Sequence, residues 1–406
     1  MFPLVKNNRR KVYKRMSSLQ VKIGDLSFDS PVMVAAGPLT DSVNLIKKAE
    51  DCGAGAVSTK LTLFRQPIKG YRRMFAVRDL YNFNCSDKRN DFEEGLDLVR
   101  KTKKITKLPV FTNIAGNGDD LASWQTIAKA MQEEGADVLE LNFCCQNMAF
   151  SEEAKSAGIA GQQIGKQPPI MLKIIKAVKD AVKIPVSAKV SATGVDFVQS
   201  VRAVEEGGAD MMACQGSQMS VPPIDIYRGG ANKMANFGNS AFGAACGPAN
   251  KQLGKKLAAD VAMNSKLVVV GGGGVEDWED VVELIMFGGT LVPMCTKLLW
   301  DGFGVITKIN ERLLSFMENQ GYKTLEDMRG LALKHLTTPD KLIVYDALPN
   351  IDCDKCIACG KCTNVGSCEA LTLVDKRIVV EENKCTRCGL CGCLCPMNAI
   401  SFPKPA

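Results

Sequence analysis

The sequence predicts an α/β chain: a (β/α)8 barrel followed by a small cysteine-rich domain. Three observations predict it. Eight short apolar runs lie between residues 32 and 294, separated by segments of helical periodicity. Helical stretches repeatedly end in glycine just before the next run, as in Glu134-Gly-Ala-Asp-Val-Leu139, Gly207-Gly-Ala-Asp-Met-Met212 and Phe287-Gly-Gly-Thr-Leu-Val292. The last tenth of the chain carries two runs of cysteines, each opening with CxxCxxC.

Taken in order, residues 1–18 form a polar arm. Leu19–Ile23 and Leu26–Phe28, separated by Gly24-Asp25, predict a short hairpin. The eight candidate strands are Val32–Ala35, Ala56–Thr59, Val110–Asn113, Val138–Asn142, Val186–Val190, Met211–Cys214, Leu267–Val270 and Leu291–Met294. Helical patterns between them include Ser42–Asp51, Pro169–Val182 and Trp278–Met286. The terminal glycines suit the left-handed conformation of a helix C-cap. Eight strand–helix units across residues 19–336 predict a TIM barrel, with a doubly wound open sheet as the alternative. The barrel is preferred because unusual polar residues sit at the strand ends rather than in one Gly-rich turn. Residues 146–167 and 215–247 are too long for simple links and predict lids over the barrel mouth. Residues 337–352, with Pro339 and Pro349, read as a linker to a domain over 353–406.

That domain reads Cys356-x2-Cys359-x2-Cys362-x5-Cys368, then Cys385-x2-Cys388-x2-Cys391-x3-Cys395-Pro396. The second run has bacterial ferredoxin spacing, in which the fourth cysteine ligates the other cluster. The prediction is a ferredoxin-like domain with two [4Fe–4S] clusters. Cys356, Cys359, Cys362 and Cys395 hold one; Cys385, Cys388, Cys391 and Cys368 hold the other. Zinc usually takes paired CxxC units, and disulfides need an oxidising compartment. Cys353 and Cys393 fall outside the pattern and are expected to be free thiols.

The 406 residues, 46% of them apolar, are ample for a large core. Ten of 17 cysteines follow residue 350, and no secretion signal is evident, so a reducing cytoplasm is expected. No run approaches the roughly 18 apolar residues of a membrane span. The formal charge of +7 counts every cysteine as neutral. Cluster thiolates and a cofactor phosphate would offset it, so nucleic acid is not an expected partner.

Chemistry concentrates at the strand ends. The fourth strand runs Leu139-Glu-Leu-Asn142-Phe-Cys144-Cys145 into Gln146-Asn147. A free cysteine is most often a small buried hydrophobe. Beside two asparagines and below a long loop, a reactive thiol is the sharper reading. With an ordinary pKa of about 8.5, such a thiol suits general acid–base work. Gly271–Gly274 leads into a helix near Asp277, and N–H groups there are placed to cradle a phosphate. The loop does not fit GxGxxG, so a single phosphate, that of FMN, is preferred to a dinucleotide. Cys295-Thr296, after the eighth strand, adds donors where barrels commonly bind phosphate. Lys60 and Lys189 end the second and fifth strands and are placed to neutralise a reduced flavin.

These residues resemble those of the dihydropyrimidine dehydrogenase family: the bacterial NAD-dependent catalytic subunit and the C-terminal half of the larger animal enzyme. The resemblance runs from about Leu19 to Pro396. It rests on Asn142-Phe-Cys-Cys145, Ser187-Ala-Lys189, Gly273-Gly-Val-Glu-Asp-Trp-Glu279, Asp354-Lys-Cys356 and the Cys385 run. Dihydroorotate dehydrogenases share the barrel and lack the tail. The resemblance implies reversible reduction of the 5,6-double bond of uracil or thymine, with hydride from FMN to C6 and a proton from Cys145 to C5. The cofactor-binding set is Ala36, Gly37, Lys60, Asn142, Lys189, Gly247, Gly273, Gly274, Cys295 and Thr296. The substrate-binding set is Asn117, Asn142, Asn147 and Gln215. The chain departs from the family at Cys144 and Gln146, where Ser and Pro are usual, and at Gln215-Gly216, where Asn-Thr is usual. A separate flavoprotein with FAD and an NAD(P)H site, or a ferredoxin, is the expected electron source, giving a hetero-oligomer. The alternatives are an electron-transfer subunit whose FMN relays to another protein, and an ene reductase with a dihydroorotate-type or other substrate.

Overall fold

The computed structural model describes residues 17–64, 70–71, 73–85, 87–145, 159–192, 196–215, 217–234 and 237–403. The chain divides into two compact units, one ending at His335 and one beginning at Leu336.

The first unit is a closed parallel barrel. Its strands are β1 Val32–Val34, β2 Ala56–Ser58, β3 Val110–Ala115, β4 Val138–Phe143, β5 Val186–Ser191, β6 Met211–Gln215, β7 Val268–Gly271 and β8 Val292–Met294. Each pairs in parallel with its sequence neighbours, and β8 pairs with β1 in the register Val292↔Val32. A parallel bridge between Val270 and Leu291 closes β7 onto β8, with the Gly271 N–H donating to the Leu291 carbonyl at 3.0 Å. All eight predicted strands are present, and the closed ring excludes the open doubly wound sheet. The predicted hairpin is also present, as Val21–Ile23 paired with Leu26–Phe28. Its Phe28 is fully buried against Phe111, near the start of β3, with ring centroids 6.3 Å apart.

Helices α1 Val43–Asp51, α2 Phe92–Ile105, α3 Leu121–Glu133, α4 Pro168–Ala181, α5 Phe197–Glu206, α6 Lys251–Asn264, α7 Trp278–Met286 and α8 Gly304–Gln320 alternate with the strands. Side-chain caps start several of them. Asp91 and Glu94 form a capping box at α2, and Asp277 accepts from the Asp280 N–H at α7. The repeated Gly-Ala-Asp has a physical cause. Gly135 and Gly208 take φ of 94° and 83° to end α3 and α5. The aspartate that follows then reaches the strand before its own. Asp137 accepts from the Val110 N–H at 2.7 Å and from Lys103, and Asp210 from the Val186 N–H at 2.8 Å and from Lys179. Each motif thus stops a helix and satisfies the first donor of the neighbouring strand. Among the described residues, no helix is long and apolar enough to cross a membrane.

The connections after β2 and β6 together build a small antiparallel sheet. Its order is Gln218–Ser220, Gly243–Cys246, Tyr81–Asn84, Phe75–Val77. Buried Phe83, Cys85 and Met234 form its own core. The lid predicted after β6 is part of this sheet. Its partner is the excursion after β2, which the sequence reading passed over. The lid predicted after β4 lies largely outside the described residues. Its described part contributes the short helix Gln162–Gly165, anchored by Gln162 Nε2 on Ser191 Oγ at 3.2 Å.

The second unit is built on two short pairings, Asn350–Ile351 with Ile400–Ser401 and the hairpin Leu371–Val374 with Arg377–Val380. Cys362, Leu371, Cys391 and Ile400 are the buried centre of its small core.

Candidate active site

A cavity of about 240 Å³ opens at the C-terminal ends of the barrel strands, under the small sheet. It is lined by Ala36 and Gly37 after β1, Lys60 after β2, Asn142, Cys144 and Cys145 around the end of β4, and Lys189 on β5. Gly247, Gly273, Gly274, Cys295 and Thr296 complete the wall. Parallel strands align these side chains because successive strand ends stop at one level.

Beneath the cavity lies a buried polar cluster. Glu140, only 2% exposed, accepts from Ser58 Oγ at 2.8 Å, from Asn113 Nδ2, and from Lys189 Nζ at 3.2 Å. Burial works to lower the Lys189 pKa, but the Glu140 carboxylate outweighs it, with the cysteine pair adding, and holds the pKa well above the usual lysine value. Lys189 is therefore a fixed cation. Lys60, 3% exposed, pairs with Asp87 of the excursion after β2.

Asn142 organises the thiols. Its Nδ2 donates to Asn113 Oδ1 at 2.9 Å and lies 3.5 Å from Cys145 Sγ. Its Oδ1 accepts from the Cys144 N–H at 3.1 Å, the Cys145 N–H at 2.9 Å and Cys144 Sγ at 3.3 Å. A hydrogen bond from the Cys144 thiol lowers the Cys145 pKa below that of an ordinary thiol. Burial opposes this, while Arg89, Lys189 and Lys60 support it. Burial and the same hydrogen bond push Cys144 up. Burial also pushes Cys295 up to about 11 and Cys246 to about 12, so both stay neutral thiols in the wall.

The glycine wall is backbone-lined by necessity. A Cβ on Gly274, at φ 71°, would lie 2.7 Å from the Lys251 nitrogen and 2.9 Å from the Gly247 carbonyl oxygen. A Cβ on Gly37 would lie 3.0 Å from Cys295 Sγ. Behind this wall Asp280 accepts from Lys251 at 2.7 Å, Lys255 at 3.1 Å and the Glu276 N–H at 3.0 Å, which ties the start of α7 to α6.

One expected site residue is placed differently. Asn117 does not line the cavity; it sits in the turn after β3, where its Oδ1 accepts from the Asp119 N–H at 3.3 Å. Gln215 ends β6, between Cys214 and Ser217, which line the cavity. Asn147 lies outside the described residues. The sequence reading missed Asn113 and Glu140, although polar residues at alternate positions of apolar strands are a usable signal. It also missed Asn82 and Asn84 of the small sheet, and Asp87 and Arg89 of the same excursion after β2, which line the cavity and carry no local signal.

In the second unit, Cys356, Cys359, Cys362 and Cys395 line one small hollow. Burial raises Cys362, and the thiols that add to the shift are those of Cys356, Cys359 and Cys395. Burial likewise raises Cys391, where the contributing thiols are Cys368 and Cys388. The two runs share a backbone. Ala358 and Arg387 have φ of 53° and 57°, and Gly360 and Gly389 follow at 70° and 79°. These turns aim N–H groups inward. The Leu390 N–H lowers the Cys388 pKa and the Ala399 N–H, 3.3 Å from Cys395 Sγ, lowers that of Cys395. Cys353 and Cys393 are exposed and stand outside both groups.

Residues 18–317 match the family model described as dihydroorotate dehydrogenase, and residues 378–401 match that of a 4Fe-4S binding domain. Dihydroorotate dehydrogenase B (NAD(+)), catalytic subunit, of Methanothermobacter thermautotrophicus is 31% identical over 319 residues, covering 77% of this chain and 98% of its own. The protein of the same name from Pyrococcus abyssi is 30% identical, over 78% of this chain and 99% of its own. NAD-dependent dihydropyrimidine dehydrogenase subunit PreA of Escherichia coli is 26% identical, but over 95% of both chains.

Proposed function

Since this chain belongs to the dihydroorotate dehydrogenase family of oxidoreductases acting on CH–CH groups, we propose that it reversibly reduces the C=C bond of a pyrimidine or related cyclic amide. FMN would occupy the barrel cavity, and electrons would pass through two [4Fe–4S] clusters in the C-terminal unit. The observation that carries this reading is the cavity itself, where one thiol pair, an amide, two buried lysines and a glycine-lined wall converge. The relative that aligns along nearly the whole chain is named for dihydropyrimidine, which supports uracil or thymine over orotate.

The residues present fit the flavin. Gly247, Gly273, Gly274, Cys295 and Thr296 form a wall that side chains would fill, suited to a phosphate that accepts from backbone donors. Bound there, FMN would supply hydride chemistry for the substrate carbon and a site for electron exchange with the proposed clusters. Cys145 gives a proton to the adjacent carbon and takes it back in the reverse direction. Asn142 fixes the thiol by accepting from two successive N–H groups. Lys60 and Lys189, held by Asp87 and Glu140, keep positive charge beside the ring. The sheet above the mouth keeps water from the reacting carbons.

The direct test is anaerobic reoxidation of the reduced flavin by uracil, thymine, orotate and other unsaturated cyclic amides. Rapid reoxidation by uracil or thymine is expected. Reoxidation by none of them, but by a redox protein, would replace this reading with an electron relay.

Gly274→Ala is expected to lower FMN content several-fold, because the new Cβ meets backbone rather than a movable side chain. Purification of this variant with full flavin would remove the phosphate site from this wall. The chain carries no dinucleotide fingerprint, so NADH or NADPH alone is expected not to bleach the flavin. Bleaching after addition of an FAD-containing partner is the expected outcome. Rapid bleaching without it would defeat the proposed hetero-oligomer.

A further inference from the structure

We propose that Asn113 is a positioning residue: its side-chain amide couples the Cys144-Cys145 turn to the buried Glu140–Lys189 ion pair and fixes which way the Asn142 amide faces. The inference rests on the proposed part of Cys145 in proton transfer and extends it to a residue on the neighbouring strand.

Parallel register brings these groups together. Asn113 on β3 stands opposite Glu140 on β4, and Asn142, further along β4, stands opposite Lys189 on β5. Alternate residues of a strand share a face, so Glu140 and Asn142 project to the same side. Asn113 is fully buried and lines the cavity. Its backbone N–H donates to Thr59 Oγ1 at 3.4 Å. Its side chain is engaged at both ends: Nδ2 donates to Glu140 Oε1, and Oδ1 accepts from Asn142 Nδ2 at 2.9 Å. An amide so deeply buried is stable only with such partners.

The chain of partners has a fixed direction. Glu140 Oε1 also accepts from Ser58 Oγ at 2.8 Å and from Lys189 Nζ at 3.2 Å. A carboxylate beside an ammonium offers only acceptors, so Asn113 must turn its NH2 group toward it. The Asn113 oxygen then faces Asn142, which must answer with its own NH2 group. Asn142 Oδ1 is thereby turned to the N–H groups of Cys144 at 3.1 Å and Cys145 at 2.9 Å. Reversing either amide would set oxygen against oxygen at one contact and N–H against N–H at the next. One carboxylate thus sets the polarity of two amides in series, and the second amide holds the turn that carries Cys145. With an apolar residue in place of Asn113, the Asn142 NH2 group loses this acceptor, and its oxygen is held less firmly on the two N–H groups.

The test reads the turn directly. The full, cofactor-loaded chain is exchanged in deuterium oxide, and residue-level rates are read by fragmentation mass spectrometry. In the unaltered chain the Cys144 and Cys145 N–H groups are expected to exchange slowly. Asn113→Leu keeps most of the volume, and Asn113→Ala introduces no clash. In both, the two N–H groups are expected to exchange about ten times faster, the factor for one hydrogen bond weakened in a buried site. Asn113→Ser keeps a donor for Glu140 but is too short to span to Asn142 as well. It is the milder variant should the apolar ones not fold, and a smaller increase is expected from it. The N–H groups of β5 should keep their rates in all three. Reoxidation of the reduced flavin by uracil or thymine should slow in the same variants, while reoxidation by dioxygen should not. Unchanged exchange at Cys144 and Cys145 in any folded variant would overturn the proposal. So would fast exchange at both positions in the unaltered chain, or an increase spread evenly over β3, β4 and β5, the mark of general loosening. Exchange needs no substrate, so a failure of uracil and thymine to reoxidise the unaltered chain would count against the pyrimidine reading and not against this one.

Discussion

Cys145→Ala is expected to purify with unchanged flavin and iron and to turn over about 10²–10⁴ times more slowly, the range for a lost general acid. The effect is large because, among the described residues, the other thiols and Lys189 are ill suited to the role. Cys144 is buried and its thiol donates to Asn142 Oδ1 at 3.3 Å. Cys246 and Cys295 are held neutral by burial, with pKa values pushed to about 12 and about 11, so they are poor proton donors at neutral pH. Lys189 is a cation locked to Glu140. Alanine also leaves the cavity wall almost unchanged in shape, so the loss reports chemistry rather than folding. The measurement is single-turnover reoxidation of the reduced flavin by uracil or thymine, with dioxygen or an artificial acceptor as a control that needs no proton donor at carbon. The control rate should stay near that of the unaltered chain. If Cys144→Ala produces the full loss and Cys145→Ala does not, the two thiols exchange roles.

The barrel was legible because its signals are local. Apolar runs such as Val138–Asn142 and Met211–Cys214 are built to be buried, and the glycine at the end of the helix before each, Gly135 and Gly208, marks where the chain reverses. The strand ends at Lys60, Asn142 and Lys189 were legible for the same reason, since a polar residue ending a buried run needs an explanation. What escaped was the excursion after β2. Tyr81–Asn84 pairs with Gly243–Cys246, more than 150 residues on, and neither strand announces the other. Asn82 and Asn84 line the cavity from that pairing, and Asp87 and Arg89 line it from the same excursion. Asn117 failed in the opposite way. Its residue type suited a heterocycle, but the turn after β3 spends its side-chain oxygen on the Asp119 N–H. The cause of the Gly-Ala-Asp repeat was also hidden, because each aspartate serves a strand of an earlier unit.

Cys395→Ser is expected to cost the cluster at Cys356, Cys359 and Cys362, not the cluster beside it in sequence. Nearness along the chain alone would pair Cys395 with Cys391, four residues away, whereas the ferredoxin spacing predicts the crossed arrangement. The fold separates them. Cys395 lines one hollow with Cys356, Cys359 and Cys362, whereas the thiols that bear on Cys391 are those of Cys368 and Cys388. The Ala399 N–H favours a thiolate at Cys395, and a serine hydroxyl, far less acidic and harder as a ligand, is a poor substitute. On the proposed two-cluster assignment, bound iron should therefore fall to roughly half. Electron paramagnetic resonance of the reduced protein should show one cluster signal, and two are expected from the unaltered chain. The substrate half-reaction at the flavin should persist, while reduction of the flavin by a partner flavoprotein should become slow. Iodoacetamide labelling of the iron-depleted variant then identifies the released ligands. Label on Cys356, Cys359 and Cys362 agrees with the crossed assignment, and label confined to Cys385, Cys388 and Cys391 would overturn it.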